Sequence, residues 1–578
     1  LPFQPSGEYD ALVRLAAAIT VLILIVGGSS AQTRPADVQS LIDQLAEPDP
    51  VVRKQAAEQI ISLGSDARPG LLQATESDNP EIRSRAGELL QQLPWFRQND
   101  PDEVKKILES YGTSEEAKRF ISMRQLADLP NGAGIDALMR LIDEETNHRL
   151  RWLAVGAIRD TSTFGANKAR LRAFNTTDAT SPIVLLAGWG WMHVDMNRCL
   201  ALFDQAAEME SRDSRHPNVE ISYALSVLAE NAVAHDEYAN AADFVRRKIH
   251  FMDADEDPAD DPRLELFSLH ARYGPLDGFA IDYREYASEL RPRSREFLYT
   301  FAGLMRRWSL PAGETLAVYL RSAATPPPEA RMPVADFLVA RDWNEWGMAE
   351  YQAIRDTDNL DDFERVDMTA LERMARVSSA EKNDADAAGY FEELLQALSQ
   401  SDAVLMNRGD RGEHLLNYVE SLIQWHRLRA AQAKSDADGI DKSLAELVKL
   451  SPTDTDIVID VVPLLKQKNR EKEAAALFDP AYDKIKAMLD KEPDNPEHVN
   501  NLAWLCARCD ERLDEALELS SRAIEEMPQN FAYLDTAAEA NFRKGNPAKA
   551  VELEEFALTF RPKDTFMIEQ LERFRKGN

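Results

Sequence analysis

Near the carboxyl terminus, Ala516, Ala523 and Pro528 recur as Ala550, Ala557 and Pro562, a repeat with a 34-residue period. Small residues at fixed helical positions let two helices approach closely. The closing proline, with no N–H to contribute, stops the second helix. Each unit therefore reads as a helix–turn–helix hairpin. A hairpin cannot bury its own apolar face, so units stack and each buries its surface against its neighbours. A chain of 578 residues is too long for one compact core, but a stack grows along one axis and escapes that limit. There is no alternation of apolar and polar residues long enough for a sheet, and no strand–glycine–helix transition. The chain reads as all-α, an α-solenoid of stacked helical hairpins.

Over residues 497–562 the two units resemble tetratricopeptide repeats (TPRs), with Asn500, Asn501, Leu502, Ala503 and Trp504 filling the core of the first helix. Residues 447–495 read as one or two further units, on Ala474, Ala475 and the stop at Pro493. The end, TFMIEQLERFRKGN, reads as a cap. Its apolar face, Phe566, Ile568, Leu571 and Phe574, is expected to cover the last repeat while Arg573, Arg575 and Lys576 meet solvent.

At the other end, EPDPVVRKQAAEQIISLGSDARPGLLQ at 47–73 returns thirty residues later as Pro80, Arg83 and Ala86. Asn147, Arg151 and Ala154 repeat the spacing of Asn79, Arg83 and Ala86. This pattern resembles HEAT repeats, in which Arg53 and Arg83 take the arginine position that opens the second helix. Gly64 reads as a helix end and Pro69 as the next start. Between the two regions the motif weakens. Tyr238, Ala241 and Ala242, and later Ala388 and Tyr390, still resemble close-packed TPR second helices. The expected organisation is a leader at 1–31, HEAT-like repeats at 32–160, degenerate TPR-like repeats at 161–450, and TPRs with a capping helix at 451–578. The acidic stretch at 253–262 and the proline-rich stretch at 324–333 read as exposed breaks between helices.

Lys and Arg total 67 against 99 Asp and Glu, a net charge of −32 spread through the helices. No basic stripe exceeds pairs such as Arg246-Arg247 and Arg306-Arg307, so nucleic acid is disfavoured as a partner. The apolar run from Leu15 to Val26 follows a single Arg14 and precedes Ser29, Ser30 and Ala31, which gives signal-peptide proportions. Its twelve residues fall short of the ~20 that span a bilayer. Cleavage would leave Gln32 first. An uncleaved amino-terminal anchor is the competing reading, favoured by the acidic stretch before Arg14, and membrane contact is expected only through this segment. The chain is thus expected to be exported, periplasmic or attached to the cell envelope.

Signals for chemistry are sparse. Cys506 and Cys509 form a CxxC, but they fall near the end of a TPR first helix rather than at a helix N-terminus that would stabilise a thiolate, so packing is the preferred reading and a local disulfide stays open. With Cys199 the three cysteines are too few for a disulfide framework. Asp253, Asp255 and Asp257 begin like a calcium loop, but Pro258 and Leu264 stand where that loop needs Gly and Glu. The nine histidines, among them His193, His235, His414 and His426, are dispersed, and Asn131-Gly132-Ala133-Gly134 reads as a turn between helices. Trp189, Trp191, Trp343, Trp346 and Trp504 are expected in the core. No catalytic residue, metal site or cofactor is assigned.

The TPR resemblance implies a concave face, lined by first helices, that holds an extended peptide or partner helix. Carried onto this sequence it points to His498, Asn501, Leu505 and Arg508 in one unit and Asp535, Glu539 and Arg543 in the next. The leading expectation is a non-enzymatic scaffold of a bacterial envelope that gathers proteins or peptides. The alternatives are a self-assembling structural component of the envelope and a cofactor-handling, lyase-like HEAT protein, which would show a deep polar pocket with perturbed titratable groups.

Overall fold

The computed structural model describes residues 35–161, 164–177, 179–213, 217–251, 261–274, 276–286, 294–322, 328–356, 366–400 and 410–577. The leader and Asp253, Asp255 and Asp257 lie outside the described residues. Among the described residues every regular element is a helix, and none is long and apolar enough to cross a membrane. Contacts divide the chain into an amino-terminal unit, Leu1–Thr161, and a carboxyl-terminal unit, Ser162–Asn578.

The amino-terminal unit is a series of short hairpins whose second helices begin in the same way. Asp49, Asn79 and Asn147 cap the helices Pro50–Leu63, Pro80–Gln92 and His148–Arg159, each side chain accepting from a first-turn amide. Four residues after each cap stands an arginine that reaches six residues back: Arg53 to the carbonyl of Glu47 at 2.6 Å, Arg83 to that of Ser77, Arg151 to that of Glu145. The incoming turn is thereby tied to the first turn of the helix by a planar, multi-donor group. Gly64 ends its helix with φ 62° and Pro69 opens the next, as the spacing implied. Residues 131–134 form the expected turn. A Cβ at Gly134 would lie 2.2 Å from the carbonyl oxygen of Leu126, so only glycine lets the flanking helices come this close.

Two adjacent glutamates are buried at the end of the helix Ile135–Glu144. Glu144 pairs with the buried Arg68 at 3.3 Å, and Arg68 lies 3.6 Å over the Trp95 ring. Glu145 accepts from the Tyr111 hydroxyl at 2.8 Å and pairs with Arg119 at 3.3 Å. Burial lifts the Glu144 carboxyl to about 7 against the pull of Arg68.

In the carboxyl-terminal unit one turn motif recurs where the sequence pattern is weakest. Asp236, Ser309, Asp342, Lys382, Ser435, Asn469, Asp510 and Gly545 all have positive φ, and each follows the first helix of a hairpin. The amide after each donates to a carbonyl five residues back, at 2.8–3.0 Å, in all eight turns. This is the left-handed helix ending known as a Schellman motif. The motif recurs in eight hairpins between residues 219 and 558, hidden from sequence because only Gly545 is a glycine. A left-handed L-residue costs about 1 kcal/mol relative to glycine. Ser435→Gly is therefore expected to stabilise the unit by about 0.5–1 kcal/mol in urea unfolding. An unchanged or lowered midpoint would show that the serine carries another role.

Alanines sit at the helix crossings. Ala241, Ala516, Ala523, Ala550 and Ala557 are at most 1% exposed. One apolar core runs from Leu428 through Leu447, Ile457 and Phe478 to Leu502 and Ala540, continuous across residue 450. Trp189 and Trp346 are buried, while Trp191, Trp343 and Trp504 are half-buried.

Two expectations need correction. The stretch 324–333 is not a break throughout: a helix starts at Pro328 and passes Pro333 to end at Val339. Pro328 stands at the first helical position, where the missing N–H has no partner to lose, and Pro333 is carried inside the helix at the cost of one i→i−4 hydrogen bond. In the cap helix Thr565–Lys576 the buried stripe is Met567, Gln570, Leu571 and Phe574, spaced i, i+3, i+4, i+7. Phe566 and Ile568 flank that stripe and are 47% and 38% exposed, and Arg573, half-buried, pairs with the buried Glu539.

Candidate protein-binding surfaces

The helices Pro496–Arg508 and Phe531–Arg543 start from side-chain caps at Asn495 and Asn530, which accept first-turn amides at 3.0 Å. These helices set the faces of the residues carried over from the TPR pattern. Asn501 is exposed; His498, Arg508 and Arg543 are half-buried. Leu505 is fully buried in the core, so it has no surface to offer a partner. Asp535 and Glu539 are buried too, because the cap helix Thr565–Lys576 covers them.

That covering creates a closed acidic network. Gln570 donates to Asp535, and Arg573 and Arg543 both reach Glu539, the latter at 2.7 Å. Burial alone would raise Glu539, but Arg573 and then Arg543 outweigh it and hold the carboxyl below its usual range. Asp535 and Glu554 lie close together under the same cover. Burial comes first in raising both carboxyls and Glu539 pushes both further; Asp535 drives Glu554 up, while the hydrogen bond from Glu554 eases Asp535 back, so the pair shares a proton near neutral pH.

A groove opens elsewhere, on the long helix Asp410–Ala433. Its 24 residues exceed the 15 of Val366–Ala380 and the 13 of Thr455–Gln467. Leu415, Tyr418, Val419 and Leu422 follow one another at i, i+3, i+4 and i+7, a single apolar face. Val419 and Leu422 pack inward, but Leu415 and Tyr418 remain 41% and 43% exposed. With Met368, Phe391, Leu394 and Leu398 this face lines a groove of about 690 Å3. Trp425 and His426 also line it, and Glu372, Arg376, Asp454 and Asp456 supply its charges. His426 is oriented by Asp384, 2.8 Å from its Nδ1, and burial keeps the imidazole below its usual pKa. Sequence reasoning missed this groove because the stripe in HLLNYVESLIQW has the same periodicity whether it meets a core or a partner.

The carboxyl-terminal unit also returns on itself. Turn residues of early hairpins meet turn residues of late ones. The Gln529 amide donates to the His193 carbonyl at 2.8 Å, and the Met196 amide donates to the Gln529 side chain at 2.6 Å. Lys563 reaches Asp236 at 2.6 Å and the Val233 carbonyl at 3.2 Å, and His235 Nε2 lies 3.1 Å from the Thr559 carbonyl. The stack thus completes a turn and closes edge to edge. Lys563→Glu sets a carboxylate against Asp236, and amide exchange at residues 233–238 is expected to quicken about tenfold while the global unfolding midpoint stays in place. Unchanged exchange would mean that the Gln529 contacts hold the closure alone.

Cys199, Cys506 and Cys509 are free and buried, as packing cysteines are; burial raises all three thiols, Cys199 and Cys506 to about 12. No group of His, Cys, Asp and Glu among the described residues is arranged to hold a metal ion.

Comparisons with known proteins agree with this helical architecture in one part of the chain. Residues 38–120 match the family model for HEAT repeats. Solved structures similar to the chain include the TPR domain of P58(IPK), at 14% identity over 69% of this chain and 98% of that one, with TM-score 0.20. Another is the APC/C hetero-tetramer Cut9–Hcn1, at 12% identity over 93% and 98% respectively, with TM-score 0.27. No curated protein matches the sequence. The chain is an all-α solenoid of helical hairpins whose amino-terminal part is similar to HEAT repeats.

Proposed function

We propose that this chain is a non-enzymatic protein-interaction scaffold, exported from the cytoplasm and working in the envelope of a bacterium. The observation that carries the reading is the groove on Asp410–Ala433, where a helix two turns longer than its neighbours leaves Leu415 and Tyr418 in solvent. Exposed apolar side chains continuous with an apolar pocket are what a docking surface offers a partner. The location rests on the apolar run Leu15–Val26 with its small residues at Ser29–Ala31.

The test is in-cell crosslinking and affinity capture of the full-length chain beside a Leu415→Asp, Tyr418→Asp variant. A protein partner captured by the native chain and lost from the variant is the expected result. Recovery of the chain alone would favour self-assembly, and recovery of a bound small molecule would favour the cofactor-handling alternative. Fractionation with amino-terminal sequencing checks the location: envelope material beginning at Gln32 is expected, and a cytoplasmic protein would overturn it.

A further inference from the structure

We propose that the groove takes a basic amphipathic segment of a partner protein, with apolar side chains against Leu415, Tyr418 and Leu422 and a lysine or arginine against Asp454 and Asp456. The inference rests on the scaffold reading and names the chemistry of its partner. Shape is the first argument. Leu415 and Tyr418 line the groove of about 690 Å3 and belong to a stripe that runs on along the helix to Val419 and Leu422. A partner helix laid along the stripe covers them, because an apolar face spaced i, i+3, i+4, i+7 is matched by another of the same spacing.

Charge is the second argument. Glu372 and Arg376 neutralise each other at 2.7 Å. Asp460, next along the helix Thr455–Gln467, accepts from the Trp425 indole at 2.9 Å and has Arg508 at 3.8 Å. Asp454 caps the helix by accepting the Asp456 amide at 3.0 Å, and no lysine or arginine pairs with it among the described residues. Among the described residues neither Asp454 nor Asp456 has an ion pair. The groove wall desolvates Asp456 on one side although its other side meets solvent, and Asp454 and Asp460 repel it further, so its carboxyl is held above the usual range against the weaker pull of Arg508. Tyr418 stands among Asp454, Arg376, Glu372 and Asp456, which joins the apolar stripe to the acidic end. A cation brought to that end relieves the repulsion, whereas an acidic segment adds to it. The net charge of −32 attracts a basic partner from a distance.

The test selects a displayed random peptide library on the full-length protein and measures the affinity of the enriched peptides for two variants. Asp454→Asn with Asp456→Asn removes the charge but keeps the cap, since Asn caps a helix as well as Asp does. Leu415→Ser with Tyr418→Ser removes exposed apolar surface without touching the core. Melting curves confirm that both variants stay folded. Enriched peptides are expected to carry apolar residues at helical spacing with Lys or Arg. They should bind the asparagine variant about tenfold more weakly and lose affinity with added salt. Acidic or neutral winners, or equal binding to the asparagine variant, would overturn the basic partner while loss in the serine variant kept the groove. Absence of any enrichment that the serine variant lowers would overturn the proposal outright, as would a concentration-dependent rise in mass abolished by the serine variant, which would identify the occupant as a second copy. The scaffold reading fails separately, through the crosslinking experiment.

Discussion

Glu350→Ala is expected to destabilise the carboxyl-terminal unit by about 3–5 kcal/mol, the cost of stripping the partner from buried charges. Glu350 lies on the helix Asn344–Arg355 with no exposed surface, and its carboxylate gathers Arg331 at 2.6 Å together with Arg295 and the Tyr299 hydroxyl. These partners come from two other helices, Pro328–Val339 and Arg295–Arg307, so one side chain ties three helices together. Removing it takes a shared buried carboxylate from two guanidinium groups, Arg331 buried and Arg295 nearly so. Glu350→Gln keeps the shape and an acceptor for Tyr299 but not the charge, and is expected to fall between the alanine variant and the native chain. Urea unfolding followed by tryptophan fluorescence reads this region well, because Trp346 is buried one turn away and lies 5.7 Å from the Tyr299 ring. A loss below about 1 kcal/mol would show that the arginines escape to water, and the three-helix tie would then be a surface feature.

Raising the pH is expected to weaken the last repeats. Asp535 and Glu554 have carboxyls raised by burial, so in the folded chain they hold protons that the unfolded chain releases near pH 4. The unfolded state then binds fewer protons, and stability is complete below the ordinary carboxylate range and declines as pH climbs through neutrality. Glu539 acts in the opposite sense. Held below its usual value by Arg573 and Arg543, it contributes stability above the ordinary range that is lost in acid. The cap helix Thr565–Lys576 is therefore held most firmly at mildly acidic pH. Glu554→Gln, which cannot ionise, is expected to remove most of the decline and to stabilise the repeats by about 1–3 kcal/mol at about pH 8 while changing little at about pH 5. Hydrogen exchange along Phe531–Arg543 at the two pH values measures it. A variant that still weakens with pH would place the responsible proton elsewhere.

Much of the fold was legible in the residues. Alanines at fixed spacing marked the helix crossings, and Ala516, Ala523, Ala550 and Ala557 are indeed buried there. The arginine of the amino-terminal repeats was legible too, though not its bond to a carbonyl six residues back. The middle of the chain was not, because its hairpins end in left-handed Asp, Ser, Lys and Asn residues that sequence alone does not distinguish from ordinary turn residues. The candidate binding residues were only partly placed. Helical spacing located Asn501 and Arg508 on one helix, but whether Asp535 and Glu539 faced a partner or the next helix depended on the cap that lies over them.

The sequence by itself determined that this protein is a stack of helical hairpins, because caps, stops and small residues act within a few turns of chain. The tertiary structure alone decided which apolar stripe stays open and where the stack meets itself. Leu415 and Val419 belong to one stripe, yet only Val419 is covered, packed in a cluster with Leu371, Ala375, Phe391 and Leu394. The pairing of His193 with Gln529 spans more than three hundred residues. It results from small rotations summed over every hairpin between them, a quantity that no local pattern encodes.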